Sequence, residues 1–209
     1  MVEIYPFVLG MVQTNTYLIG DNESKEAVVI DPADDGREIV DEARQRQWTI
    51  KSIWITHAHF DHIGGVQEIR QLTESSVTVG LHSADLPLWR NQGGAALFGI
   101  QFDVGAEPDF YFYDRQILNL GNYQFEVRHT PGHTAGHVVF YCSRLAVCFC
   151  GDLIFQGSVG RTDLPGGNFD QLINSIQLNI LTLPDKTRLF AGHGPETTVF
   201  IERMENPFL

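Results

Sequence analysis

The stretch Thr56–Gly65 reads THAHFDHIGG and crowds four metal-capable side chains into six consecutive positions. These side chains are His57, His59, Asp61 and His62. A single histidine is usually a core residue with satisfied hydrogen bonds. Four such groups buried together without a metal would need too many separate hydrogen-bond partners. The stretch therefore predicts a metal site.

The predicted strand before this stretch explains how its side chains can converge. The residues SIWIT read as a strand, and alternate residues of an extended chain point the same way. His57 and His59 can therefore face one ion. Asp61 and His62 fall where the chain turns into the next predicted helix, which directs them towards a neighbouring point.

Three further candidate ligands follow other predicted strands. HTPGHTAGH places His133 after a strand and a Pro-Gly turn, CFCGDLIF places Asp152 after the most apolar strand, and LFAGHGPE places His193 after the last strand. Together with the first stretch they make seven candidate ligands. This number exceeds what one tetrahedral ion needs but suits two ions that share a carboxylate. We expect two divalent cations, and such ligands suit zinc, iron and manganese alike.

The pattern of predicted elements indicates an α/β fold with two similar halves. In each half, short apolar runs typical of strands lead into amphipathic helices, such as REIVDEARQRQ in the first half and FDQLINSIQLNILTL in the second. Each half is expected to bury one sheet face on the other half and to cover its outer face with helices. The 209 residues, of which 43% are hydrophobic, suffice for one core, so we expect a single domain over residues 1–209.

The charge of the chain limits its partners. Asp and Glu number 26 against 14 Lys and Arg, which gives a net charge of -12 and disfavours nucleic acid and anionic membrane surfaces. No apolar run approaches the roughly 18 residues of a membrane span, and the start MVEIYPFVLG lacks the basic residues of a signal peptide. We therefore expect a cytoplasmic protein with a small-molecule substrate. Its oligomeric state is left open, and Cys142, Cys148 and Cys150 are predicted to be buried thiols.

The motif H-x-H-x-D-H, followed by the contexts TPGHT, GD and GHG, resembles the metallo-β-lactamase superfamily over nearly the whole chain. The resemblance implies an αββα four-layer sandwich with the metal site along one edge. It also implies the ligand sets: His57, His59 and His133 for the first metal, Asp61, His62 and His193 for the second, and Asp152 as the bridge between them.

A longer stretch, GDLIFQGSVGRTDLPGG, resembles the short glyoxalase II-like hydrolases, whose larger relatives hydrolyse S-D-lactoylglutathione. This resemblance implies a thioesterase that uses a metal-bridging hydroxide, because two ions lower the pKa of a shared water from about 15.7 towards 7. A thiolate, whose thiol has a pKa of roughly 8.5, leaves without strong acid assistance. Asp61 and Asp152 are the predicted catalytic residues, with Asp61 orienting the hydroxide or accepting its proton.

One related activity is the alternative. It is that of a mononuclear iron persulfide dioxygenase, because that branch has a similar Asp-to-GRTD stretch and would use His57, His133 and Asp152 as its iron ligands. The presence of every second-site ligand favours the hydrolase. Antibiotic hydrolysis is not expected, because the best-known β-lactamase subclass carries Cys in place of Asp152.

The larger glyoxalase II enzymes bind glutathione with a C-terminal helical domain, whereas this chain ends soon after His193. We therefore expect any glutathione contact from residues 86–112 and from residues after Asp152.

The remaining distinctive residues are expected to have supporting roles. His82, His129 and His137 lie outside the ligand pattern, and a structural or supporting role is predicted for each. Arg161 and Asp163 are predicted to form an ion pair that fixes their loop, with contact to an anionic substrate as the alternative. The segment 86–112 is consistent with a substrate lid, a packed surface segment or a dimer contact.

Overall fold

The computed structural model describes residues 1–73 and 77–209, and its first sheet contains the strands of the first half of the chain. In sheet order these strands are β1 (Val2–Leu9), β2 (Thr14–Asp21), β3 (Glu26–Ile30), β4 (Thr49–Trp54), β5 (Thr78–His82) and β6 (Phe110–Phe112). β1, β2 and β3 pair antiparallel, whereas β3 to β6 pair parallel. Parallel neighbours need crossover connections, and helices supply the first two of them.

The helices of the described residues cover the outer faces of the two sheets. They are α1 (Gly36–Gln45), α2 (Phe60–Ile63), α3 (Val66–Leu72), α4 (Leu86–Arg90), α5 (Phe169–Asn179) and α6 (Val199–Glu205). In α1 the buried residues Ile39, Val40 and Ala43 recur with helical spacing, and they form the stripe that faces the sheet. None of the described helices has both the length and the apolar character needed to cross a membrane.

The second sheet contains strands from the other half of the chain, in the order β14-β13-β10-β9-β8-β7. These are β7 (Ile117–Leu120), β8 (Tyr123–His129), β9 (Val138–Cys142), β10 (Val147–Gly151), β13 (Arg188–Ala191) and β14 (Thr197–Thr198). A small ribbon of β11 (Ile154–Phe155) and β12 (Ser158–Val159) lies between β10 and α5 in the chain. β10 and β13 pair parallel, and α5 lies in the connection between them.

Side-chain alternation along the strands divides the apolar residues between the layers. Val29 of β3 packs in the cluster that includes α1 and α3, whereas its neighbour Val28 packs between the sheets. On β10, Phe149 lies between the sheets, and Cys148 and Cys150 face the cluster that includes α5. All three cysteines are buried free thiols, as the sequence predicts. The layers are therefore helices, sheet, sheet and helices, which confirms the expected αββα sandwich.

The segment between β5 and β6 is packed rather than loose. It contains a 3-10 turn (Ser83–Asp85), α4 and a second 3-10 region (Gln92–Phe98). Trp89 is 1% exposed and belongs to the core under the first sheet. Gly93 has a φ of +62°, and a Cβ there would lie 2.3 Å from the backbone nitrogen of Phe60. The segment therefore lies directly against the loop that carries the metal-capable residues.

Candidate metal centre

The candidate ligands collect at one edge of the sandwich because the strands that precede them end there. β3, β4, β10 and β13 all run towards this edge, and parallel strands bring their carboxyl ends together. His57 follows β4, Asp152 follows β10, and His193 follows β13. His133 lies in the loop between β8 and β9, and the β9 residue Val138 hydrogen-bonds to the carbonyl of Thr56. All seven sequence-predicted residues therefore meet in one place.

His57, His59 and His133 form a first group of converging imidazoles. The Nε2 atom of His133 lies 2.9 Å from His59 Nδ1 and 3.2 Å from His57 Nε2. Ligand nitrogens about 2.0–2.1 Å from one tetrahedral zinc ion would be roughly 3.3–3.4 Å apart, so the spacing is near that of a shared cation. Burial, followed by the proximity of other imidazoles, lowers the pKa of His59 to about 3 and that of His57 well below its usual value. Both rings are neutral at pH 7 and have a lone pair to donate.

Asp61, His62 and His193 form a second group beside the first. Asp61 Oδ2 lies 3.3 Å from His193 Nε2 and 3.6 Å from His62 Nε2. His193 keeps 30% of its side chain exposed, whereas His62 is fully buried. The second group is therefore the more open of the two.

Asp152 lies between the two groups. Its Oδ1 atom is 3.4 Å from His62 Nε2, and its Oδ2 atom is 3.7 Å from His133 Nε2 and 3.6 Å from His193 Nε2. One carboxylate thus faces members of both groups. Gly192 makes this approach possible, because a Cβ there would lie 2.2 Å from Asp152 Oδ1.

Buried polar atoms without hydrogen-bond partners test whether a cation fits here. Within residues 1–73 and 77–209, His62 Nε2 and Asp152 Oδ1 are among the buried side-chain atoms that lack such a partner. Leaving a buried polar atom unsatisfied costs about 1–3 kcal/mol. Both atoms face the middle of the cluster, where a divalent cation would satisfy them. The residues present therefore fit a metal.

The electrostatics of the cluster also favour positive charge. Burial opposes the protonation of His62, but the carboxylates of Asp152 and Asp61 raise its pKa well above the usual value. Burial likewise opposes the ionisation of Asp61, yet His62 and the hydrogen bond with His193 lower its pKa to about 2. Asp152 also keeps a pKa below its usual range, although it is buried, because of His62. A divalent cation would supply the same stabilising charge.

A hydrogen-bonded chain holds two of the histidines in the orientation that metal binding requires. The Asp31 carboxylate accepts hydrogen bonds from His62 Nδ1 at 2.9 Å and from Thr56 Oγ1 at 2.6 Å. The Thr56 hydroxyl has one proton, so it must accept from His57 Nδ1, which lies 3.0 Å away. Both rings therefore present Nε2 to the centre of the cluster.

His133 is oriented by a backbone carbonyl. Its Nδ1 donates to Arg161 O at 2.7 Å, which leaves Nε2 free to face the first group. The Arg161 side chain binds Asp163 through two hydrogen bonds of 2.7 and 2.8 Å. The ion pair expected from the sequence is therefore present.

Asp85 ties together the two loops that carry the first group. Its Oδ2 accepts from the Ala58 amide at 3.0 Å and the Thr134 hydroxyl at 2.8 Å, and its Oδ1 accepts from the Gly136 amide at 2.6 Å. Ala58 lies between two candidate ligands, and Thr134 follows a third. The carboxylate therefore fixes the spacing between these loops.

The other histidines lie around the groups rather than in them. His137 is fully buried, stacks on His57 with ring centroids 5.2 Å apart, and has its Nδ1 2.9 Å from the Thr130 hydroxyl. His82 and His129 stack on each other at 4.1 Å. These contacts agree with the supporting roles expected from the sequence.

Sequence reasoning missed several residues that support the site. Asp31 follows β3 directly, so the rule that found the other strand-end residues would also have found it. Asn15 gives no such signal: its side chain donates to the carbonyls of Ala191 and Gly194 and so fixes the loop of His193. Thr14 donates to Asp61 Oδ2 at 2.9 Å. The contacts of Asn15 and Thr14 join parts of the chain that are far apart in sequence, so no local pattern indicates them.

An open cleft lies over the candidate ligands. It encloses about 570 Å³, part of it open to solvent, and its walls include Val12, Phe60, Phe98 and Leu164. Arg161 stands at its rim. A small molecule can therefore reach the cluster. In this respect the site differs from a structural metal site, which is closed to solvent.

Comparison with known proteins places these features in a family. The sequence model of the metallo-beta-lactamase superfamily matches residues 9–193. The probable metallo-hydrolase YqgX of Bacillus subtilis (strain 168) is 39% identical over 96% of this chain and 94% of its own length. The hydroxyacylglutathione hydrolase GloC of Haemophilus influenzae is 36% identical over 100% of this chain and 97% of its own length.

Solved structures show the same likeness. The BLEG-1 B3 metallo-beta-lactamase superposes with a TM-score of 0.90 at 39% identity, covering 99% of both chains. The di-iron-bound form of TTHA1623 gives a TM-score of 0.89 at 38% identity, covering 98% of this chain and 100% of that one. ETHE1 from Myxococcus xanthus gives 0.81 at 26% identity, covering 98% of this chain and 83% of that one.

Proposed function

Since the chain belongs to the metallo-beta-lactamase superfamily and is a metallo-hydrolase of that superfamily, we propose that it hydrolyses thioesters at a site for two divalent cations. The observation that carries this proposal is the position of Asp152, whose carboxylate faces members of both groups of candidate ligands. The similarity to a hydroxyacylglutathione hydrolase over nearly the full length of both chains supports the thioester as substrate.

The candidate ligands divide between two positions. The first would be held by His57, His59 and His133, the second by Asp61, His62 and His193, and Asp152 would serve both. Cations bound there supply a water of lowered pKa and polarise the carbonyl oxygen of a substrate. Their identity is open between zinc, iron and manganese, and one relative of known structure binds two irons.

Asp61 is placed to orient the attacking water. Its pKa of about 2 keeps the carboxylate ionised at neutral pH, and the Thr14 hydroxyl fixes its Oδ2 atom. The ionised carboxylate would direct the water by accepting a hydrogen bond from it. Phe60 and Phe98, whose ring centroids lie 5.3 Å apart, form an apolar wall of the cleft and exclude bulk water from one side.

A second candidate function uses part of the same ligand set. His57, His133 and Asp152 bring two imidazoles and one carboxylate together, which is the set that non-heme iron oxygenases use. An iron-dependent persulfide dioxygenase is therefore the alternative. The complete second group of residues favours the hydrolase, because it supplies ligands for a second ion.

The two activities differ in what they consume. Purified protein containing zinc and iron is assayed for thiol release from S-D-lactoylglutathione and simpler thioesters without oxygen, and for oxygen uptake with glutathione persulfide. We expect thiol release without oxygen. A β-lactam is assayed in parallel, because one of the similar structures is a B3 metallo-beta-lactamase. Oxygen uptake or β-lactam cleavage with no thiol released from any thioester would overturn the proposal.

A further inference from the structure

A second cavity opens from the side of the catalytic cleft. This side groove has a volume of about 500 Å³, part of it open to solvent, and its apolar walls include Leu9, Met11, Val12, Phe60, Ile100 and Phe102. It shares Val12, Phe60 and Asp61 with the cleft over the candidate ligands. A molecule whose reacting atoms lie beside Asp61 therefore has the side groove next to it, across these shared lining residues.

The walls of the side groove come from two separate parts of the fold. Met11 and Val12 lie in the turn between β1 and β2 and are 76% and 43% exposed. Ile100 and Phe102 come from the segment before β6, which the sequence singles out as a possible substrate-binding element. Exposed apolar side chains that line a continuous groove are typical of a ligand site rather than of an ordinary surface.

The charges around the side groove disfavour an anionic ligand. Among the described residues, no Lys or Arg lines this groove, and Arg161, which lines the neighbouring cleft, binds the Asp163 carboxylate through its Nε and Nη2 atoms. The side groove also contains the carboxylates of Asp34 and Asp61. A glutathionyl group, which carries two carboxylates, would meet these two carboxylates in the side groove and no Lys or Arg among the described residues that line it.

We propose that the side groove binds an uncharged apolar arm of the substrate, so that the preferred substrates are thioesters with a hydrocarbon chain rather than glutathione thioesters. The proposal rests on the thioester hydrolysis proposed above. Both halves of a thioester can carry such an arm: the acyl group and the thiol. In either case the group that binds is an alkyl chain of several methylenes, which is transferred from water into the groove.

The expected effect follows from the burial of methylene groups. Each buried methylene contributes about 0.8 kcal/mol, which is about fourfold in kcat/KM per carbon until the groove is full. Two substrate series separate the two halves. One series lengthens the acyl group of S-ethyl thioesters from acetyl to octanoyl, and the other lengthens the alkyl thiol of thioacetates from ethyl to octyl.

We expect kcat/KM to rise with chain length in one of the two series and to exceed the value for S-D-lactoylglutathione. Flat values in both series, or a preference for the glutathione thioester over every alkyl thioester, would overturn the side-groove proposal while thioester hydrolysis stands. Absence of thiol release from all of these substrates would overturn both proposals together.

Two matched variants locate the arm. Ile100→Asn places an amide in the side groove and is expected to flatten the dependence on chain length. Leu97→Asn changes an exposed leucine of the same segment that lines neither cavity, and is expected to keep that dependence. Val12→Asn, in an exposed turn, repeats the test if the Ile100 variant does not fold. Unchanged chain-length dependence in a folded groove variant would contradict the proposal.

Discussion

Asp31 shows how one side chain can orient two candidate ligands. It binds His62 directly and His57 through the Thr56 hydroxyl, and it has a φ of 49°. Asp and Asn accept this left-handed conformation more readily than most residues. The carboxylate therefore suits both the backbone and the hydrogen-bonded chain at this position.

Asp31→Asn tests this orientation with little change of shape. Asp31 accepts from His62 Nδ1 through Oδ2 and from the Thr56 amide through Oδ1, so either orientation of the asparagine side chain would set its NH2 group against a donor. We expect zinc affinity to fall about 10–100-fold, as for other residues that orient metal ligands. Competition with a chelator of known affinity measures the change, and Asp41→Asn on the exposed face of α1 is the control. Equal affinity of the Asp31 variant and the parent would show that the carboxylate does not orient the ligands.

Asp152 and His137 should differ in their importance for activity. Asp152→Ala removes the carboxylate that faces both groups, whereas His137→Ala removes a ring that stacks on His57 and hydrogen-bonds to the Thr130 hydroxyl. We expect the His137 variant to lose about 10–100-fold in activity and the Asp152 variant to lose considerably more. Both are assayed at matched metal content. An Asp152 variant as active as the parent would exclude a bridging role.

At the scale of elements, strands and helices with a clear apolar period were predictable from the sequence, because burial on one face leaves a regular pattern. α1 and α5 were found in this way, as was β10. β7 gives no such pattern, because it is only four residues long and its first residue, Ile117, is 45% exposed. The candidate ligands were predictable because polar residues directly after apolar strands are conspicuous, whereas Asp85 and Asn15 act only through contacts with distant loops.

The end of β5 offers a pH-dependent contribution to stability. Burial, followed by the neighbouring His129, lowers the pKa of His82 to about 4, and Asp114 opposes this only in part. His82 Nδ1 accepts a hydrogen bond from the Ala84 amide, which requires the unprotonated ring. The unfolded chain takes up this proton near pH 6.5, so the folded state loses stability as pH falls from about 6.5 to 4.

His82→Asn removes this titration and keeps an acceptor for the Ala84 amide. We expect the free energy of unfolding to fall less between pH 7 and pH 4.5 in the variant than in the parent, whereas above pH 7 the two share one pH dependence. Urea unfolding at a series of pH values measures both curves. Parallel curves across the whole range would contradict a lowered pKa for His82.

For the whole molecule, metal binding should stabilise the fold, because the ligands come from loops at the ends of both sheets. At a free concentration of 100 times the Kd, one bound ion adds about 2.7 kcal/mol. For a chain of this size that corresponds to a rise in Tm of roughly 5–11 °C per ion. We expect EDTA to lower the Tm by at least this amount and zinc to restore it. A Tm that is the same with zinc and with EDTA would show that the ligands do not act as a folded metal site.

The position of bound metal is the most direct test of the two-cation site. Crystals of the zinc-loaded protein, measured at the zinc absorption edge, give anomalous peaks that locate each ion without reference to the protein atoms. The account predicts two peaks, one among His57, His59 and His133 and one among Asp61, His62 and His193, with Asp152 contacting both. A single peak among Asp31, His57 and His62, the other set of converging ligand atoms in the described structure, would contradict it.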